Sequence, residues 1–421
     1  MVFTETMSSR ERVLNALSGK PVDRTPIANP TNIATVDFMD MVDAPFPEAN
    51  QDPELNARLA ATGFTELGFD SITPYFSIIQ ESSALGCDMQ WEQKDNWPTV
   101  RMTNPIWKGP DDVRIPSGFL EHRDTLAITR SIDLLKKEYG DQAAIIGKTM
   151  GPWTLAYHVF GVEPFLLMTI DDPKMTMECM HKLKEISVLF GQAQIDAGAD
   201  ALTFPDHATG DLVSGEYYRK FLLEIHQEMV DRLDVPLILH ICGNTLDRMD
   251  YIAQNNMAMF HFDSQNDPAA AKNIVGDRIG LVGNINNPVT LYSKGPEEVR
   301  SEVYRCLQPG GYFLFSQVVP PDDSISKEYD WIVGRDIHYP TRREILQYFS
   351  RFSIIGQNNY ILKKQSVMNW VNNTCNDESE RQKIINRHRK TSITYKSLTN
   401  FEETENDILV NINHFIVLSK K

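Results

Sequence analysis

Between residues 24 and 317, short apolar runs bounded by turn residues alternate with longer stretches whose apolar positions recur at helical spacing. The runs are RTPIANP (24–30), SITPYF (71–76), AAIIGKTMGPW (143–153), DALTFPD (200–206), PLILHICG (236–243), AMFHFD (258–263), IGLVGNIN (279–286) and GYFLFSQ (311–317). Segments such as DPKMTMECMHKLKEISVLFGQAQIDAG and SGEYYRKFLLEIHQEMVDRL carry the helical period between them. Strands that are apolar throughout, rather than alternating, are covered on both faces, as in parallel sheets. Eight strand–helix units predict an α/β protein, a closed (β/α)8 TIM barrel, with an open doubly wound sheet as second choice. The eighth run is atypically aromatic, and an α+β C-terminal extension follows it.

The 421 residues suffice for a domain of barrel size plus an appendage. Charge marks the boundary. From Val318 onward 15 Lys+Arg face 13 Asp+Glu, net +2, whereas the first 317 residues are net −18. The expected division is therefore a barrel over 1–317 and an extension over 318–421. The overall charge of −16 speaks against nucleic-acid binding, which needs a basic face. No apolar stretch is long enough for a membrane span and the N-terminal residues are charged, so a cytoplasmic protein without membrane association is expected. Five scattered cysteines (Cys87, Cys179, Cys242, Cys306, Cys375) are an odd number and predict free thiols or ligands rather than a disulfide framework.

Polar residues collect at the C-terminal ends of the predicted strands, the face that carries TIM-barrel active sites. They are Asp206 and His207, His240 and Cys242, Asp263, Asn284 and Asn286. In a strand, positions i and i+2 share a side, so His240 and Cys242 face one way. An imidazole and a thiolate are zinc ligands, but the same pair also serves simply to fill the top layer of a barrel. Asp263 is a candidate metal ligand or an orienter of one, or a loop carboxylate. Asp206, His207, Asn284 and Asn286 are candidate substrate-binding groups, with capping and turn chemistry as the alternative. Cys87 and Cys179 are read as packing residues. The chain has no GxxxxGK[ST], no GxGxxG after a strand and no HExxH, which removes the signatures of nucleotide binding and zinc proteolysis.

Several motifs occur in one order: RERVLNALSGKPVDRTPI, PEANQDPELNARLA, GPWTLA, DLVSGEYYRKFLLEIHQEMVD, LILHICGNT and VGNINNPVTLYSKGPEEVRSEVYRCL. Over residues 8–307 they make the chain resemble the uroporphyrinogen decarboxylase superfamily, and within it the methylcobamide:coenzyme M methyltransferases. The resemblance implies a TIM barrel, Zn2+, a methylcobamide carried by a partner corrinoid protein as methyl donor, and a small thiol, coenzyme M, as acceptor. It makes His240 and Cys242 two zinc ligands and catalytic residues. The family's third ligand is a cysteine after the eighth strand, where this chain reads QVVPPDDSISKEYDW. Cys306 precedes that strand and is expected toward the opposite barrel end. The decarboxylase branch remains the alternative, lacking here its Arg-rich substrate loop, as does a fusion protein that has lost catalysis. The segments CLQPGGYFLFSQVV and NHFIVLSKK resemble the late strands of class I S-adenosylmethionine-dependent methyltransferases, without that fold's glycine-rich cofactor loop.

Overall fold

Six of the eight apolar runs form one parallel sheet in chain order: β1 (Ser71–Ile72), β2 (Ala144–Lys148), β3 (Ala201–Pro205), β4 (Leu237–Ile241), β5 (Met259–Phe262) and β6 (Gly280–Val282). Every residue of β2 and β3 is buried, which is why these strands are apolar throughout. The sheet is curled, with helices returning between its strands, and the architecture is TIM-barrel-like as expected. This computed structural model describes residues 5–91, 93–306, 312–333, 339–350, 352–374, 377–404 and 407–420.

The first run, residues 24–30, forms no strand. Pro26 and Pro30 remove two ladder donors, and the segment is held beside β1 through Asp70. The Asp70 N–H donates to Ile27 O (2.7 Å), and Asp70 Oδ2 accepts from Ile27 N–H (2.7 Å). The same buried carboxylate receives Arg12 Nη1 and both Arg24 Nη atoms at 2.7–2.8 Å.

The long helix Pro173–Asp196 starts on an Asp172 side chain that accepts from Met175 N–H (3.0 Å) and lies against β2. A Cβ at Gly147 would stand 2.7 Å from Gln194 Oε1 and from Leu202 Cδ2, so only glycine allows this approach. Gln194 uses it to accept from Lys148 N–H and donate to Lys148 O, both at 2.9 Å. The backbone of the last β2 residue is thereby clamped.

The chain divides into a unit of Thr6–Cys306 and a second built on Leu307–Lys421. The run GYFLFSQ, predicted as the eighth barrel strand, does not join the parallel sheet. Strand β7 (Tyr312–Val319) joins the tail strands β8 (Ser353–Ser366), β9 (Glu402–Glu403) and β10 (Ile408–Lys420). Strand β10 pairs antiparallel with all three, and its register with β7 runs from Asn413↔Val319 to Lys420↔Tyr312. Backbone pairing with β10 decides the allegiance of this run, which apolar patterning alone could not. Val367, Val371, Ile384, Ile385, Ile408 and Val410 form a small core of this unit. Residues 307–311 and Cys375 lie outside the described residues. Among the described residues no helix is long and apolar enough to cross a membrane.

Candidate metal centre

Strand β4 ends in His240-Ile241, and Cys242 follows directly. As the period of two predicts, His240 and Cys242 meet: His240 Nε2 lies 3.1 Å from Cys242 Sγ. The other ring nitrogen, Nδ1, donates to His261 O at 3.3 Å. Such a bond fixes the ring and leaves Nε2 with its lone pair toward the sulfur, the arrangement of a ligating histidine.

His207 completes the group. It follows β3, whose Pro205 is in register with His240, and its N–H donates to Thr154 Oγ1 (2.9 Å). Its ring stands edge-on to that of His240 with centroids 5.5 Å apart, and its Nδ1 is 3.4 Å from Cys242 N. One donor atom each from His207, His240 and Cys242 lies within 4.8 Å of the others. Two imidazoles and a thiol in this compass fit a zinc ion, which accepts mixed nitrogen and sulfur donors.

The electrostatics favour neutral ligands. Burial lowers the pKa of both His240 and His207, and neighbouring histidines reinforce the effect on His240. Cys242 is an exposed residue, yet the protein packed around its sulfur and the nearby Asp263 carboxylate push the thiol up to about 11. A cation at this point would reverse that preference.

The remaining candidates make hydrogen bonds within the protein. Asp263, considered as a metal ligand, stands outside the group: Oδ2 accepts from Gly243 N–H (3.1 Å), and Oδ1 accepts from Gln265 N–H (2.9 Å) and the Ser264 hydroxyl (3.2 Å). It holds the loop that carries Cys242. Asp206, considered for substrate, is fully buried, with Oδ1 accepting from Thr154 N–H (2.9 Å) and Oδ2 facing His226 Nε2 (2.9 Å). Asn284 donates to Asp263 O (3.0 Å) and Asn266 O (2.7 Å), and Asn286 caps the turn at Val289 N–H (2.8 Å). Cys306 is not remote as expected: its Sγ donates to Asn284 Oδ1 (3.4 Å), just past β6. Cys87 and Cys179 are buried, and burial pushes both thiols up to about 12.

Strand periodicity found His240 and Cys242 but passed over Lys148. A cavity of about 300 Å³ is lined by His207, His240 and Lys148 together with Asn32, Ser77 and Trp97. Lys148 is 2% exposed. Burial pulls its ammonium down to about 7 against the opposing pull of Glu81. The available signal was a single charge inside the apolar run AAIIGKTMGPW.

Residues 8–316 match the family described as uroporphyrinogen decarboxylase (URO-D). A methylated-thiol–coenzyme M methyltransferase of Methanosarcina mazei is 30% identical over 72% of this chain and 82% of its own length. A methylcobamide:CoM methyltransferase, MtaA, of Methanosarcina barkeri is 29% identical over 72% of this chain and 89% of its own. A solved methyltransferase structure from Methanosarcina mazei superposes with a TM-score of 0.69 at 27% identity, covering 71% of this chain and 89% of that one.

Proposed function

The chain belongs to the uroporphyrinogen decarboxylase family, and from that membership we propose that it is a methyltransferase moving a methyl group from a methylated corrinoid protein to a small thiol, coenzyme M. The observation that carries this reading is the convergence of His207, His240 and Cys242 at the C-terminal strand ends, beside a cavity of substrate size.

These three residues would hold Zn2+, which supplies a Lewis acid able to keep a substrate thiol ionised near neutral pH, where a free thiol is mostly protonated. The protein's own part is positioning. The His240 ring is set by the carbonyl of His261, and the Cys242 loop is pinned by Asp263 at Gly243. The exposed Cys242 gives its proton a route to solvent when a cation binds. The acceptor thiol would lie in the cavity lined by Lys148, His207 and His240, where its sulfur would take the methyl group and the corrinoid would keep the electron pair of the broken bond.

The test is zinc per purified chain together with methylation of 2-mercaptoethanesulfonate from methylcobalamin, for wild type and Cys242→Ala. About one zinc per chain and transfer that Cys242→Ala abolishes are expected. Wild-type protein with neither stoichiometric zinc nor transfer overturns the reading.

A further inference from the structure

Lys148 is the last residue of β2, and Gln194 clamps its backbone on both sides. Its Nζ donates to Thr31 O (2.8 Å) and sits 5.0 Å from the centroid of the Tyr75 ring. Among the described residues no carboxylate forms an ion pair with it. The nearby Glu81 is engaged elsewhere, by the hydroxyls of Tyr75 and Thr149 and the N–H of Met150. An ammonium carries three donors, and leaving a buried one this sparsely partnered costs stability unless an anion joins it.

The surroundings say where that anion comes from. Lys148 lines the same cavity as His207 and His240. Strand register pairs Lys148 with Thr203 and His240 with Pro205, so the ammonium belongs to the inward-facing layer next below His240.

We propose that Lys148 is the binding and specificity residue for the acidic end of the acceptor thiol, a sulfonate or carboxylate, leaving the sulfur end toward His207, His240 and Cys242. The proposal rests on the thiol-methylating reading of the same site. It makes the enzyme selective for anionic over neutral thiols through a charge-assisted hydrogen bond formed away from water.

The test needs neither metal nor methyl donor. Full-length protein treated with a chelator is titrated with ethanesulfonate, propionate and n-propanol, followed by calorimetry and by the fluorescence of Trp97, which lines the cavity. Wild type is expected to bind at least one anion about tenfold or more tightly than n-propanol. The tighter anion identifies the acid. Lys148→Met is expected to lose that preference and Lys148→Arg to retain part of it. No anion binding to wild type up to millimolar concentration, or n-propanol binding as tightly as both anions, overturns the proposal. So does a folded Lys148→Met that binds both anions as wild type does. If Lys148→Met does not fold, Lys148→Gln is titrated in its place and read in the same way. Failure of methyl transfer with anion selectivity intact would instead overturn the catalytic reading and leave the anion site standing.

Discussion

The Nε2 atom of His240 lies 3.1 Å from the sulfur of Cys242, with the far side of the ring tied to a main-chain carbonyl. This pair fixes how metal binding should respond to pH. The Cys242 thiol, held up at about 11, must lose its proton to become a ligand, whereas the imidazoles of His207 and His240 are lowered and already neutral above pH 7. Zinc affinity should therefore rise about tenfold per pH unit between roughly pH 7 and 9, with about one proton released per ion. Competition with a chromophoric chelator measures the slope, and a flat profile would remove Cys242 from the ligand set.

Replacing His207 should cost more metal than replacing Asp263. His207→Ala removes a donor atom and is expected to weaken zinc retention by about 100-fold or more, beyond the roughly 10–100-fold cost of losing an outer partner. Asp263→Asn loosens Gly243 and the loop but keeps all three donors, so its loss should be smaller. Zinc content after dialysis against a graded chelator series ranks the two. The reverse order would return Asp263 to the ligand set.

Acid should destabilise the protein through His158. Its Nδ1 faces the Ser82 hydroxyl at 2.7 Å, and burial holds its pKa at about 4 against an ordinary value near 6.5. The folded state thus resists a proton that the unfolded chain accepts. The associated stability is complete above about pH 6.5 and is lost as pH falls toward 4, amounting to about 3 kcal/mol in all. Urea midpoints across that window should decline more steeply for wild type than for His158→Gln. Parallel curves would show that His158 is not the acid-sensitive group.

Asp70→Asn is expected to destabilise the first unit by about 3–5 kcal/mol, because it leaves the buried guanidiniums of Arg12 and Arg24 facing a neutral amide. The segment at residues 24–30, tied to β1 through that carboxylate, should become the first site of proteolytic cleavage. Equilibrium unfolding and limited digestion read the two effects. A loss below about 1 kcal/mol would mean the network is replaceable.

Lys148→Met should leave the ligand-free protein as stable as wild type, or raise its stability by about 1 kcal/mol, since an apolar chain of similar length relieves a buried charge with few partners. Thermal unfolding without ligand is the measurement. A large loss would show that the ammonium contributes to the fold through Thr31 and Tyr75 rather than being held for a ligand.

The sheet was legible where the chain is apolar without interruption. Runs 143–153, 200–206, 236–243, 258–263 and 279–286 each contain a barrel strand, because parallel strands covered by helices write their burial directly into composition. Residues 24–30 misled because two prolines sit where ladder donors are needed. GYFLFSQ misled because an apolar strand carries no label for its partner, and β10 lies about a hundred residues further on. At the site, His240 and Cys242 share a strand, and a period of two suffices to bring them together. His207 follows the neighbouring strand, so its approach depends on register, which one strand's pattern does not record. Asp263 and Asn284 hydrogen-bond within the loops at the same strand ends, where loop-holding and ligand-binding draw on the same side chains.

The pairing of β10 with both β7 and β8 sets an order of events during synthesis. Residues 6–306 can emerge from the ribosome and close their own core, whereas the two long strands that follow have no neighbour until residues 408–420 are made. For that interval the nascent chain carries unsatisfied strand edges, open to capture by any other extended segment. Translation stalled just short of residue 408 should therefore yield a folded first unit followed by a tail whose strands lack their β10 partner.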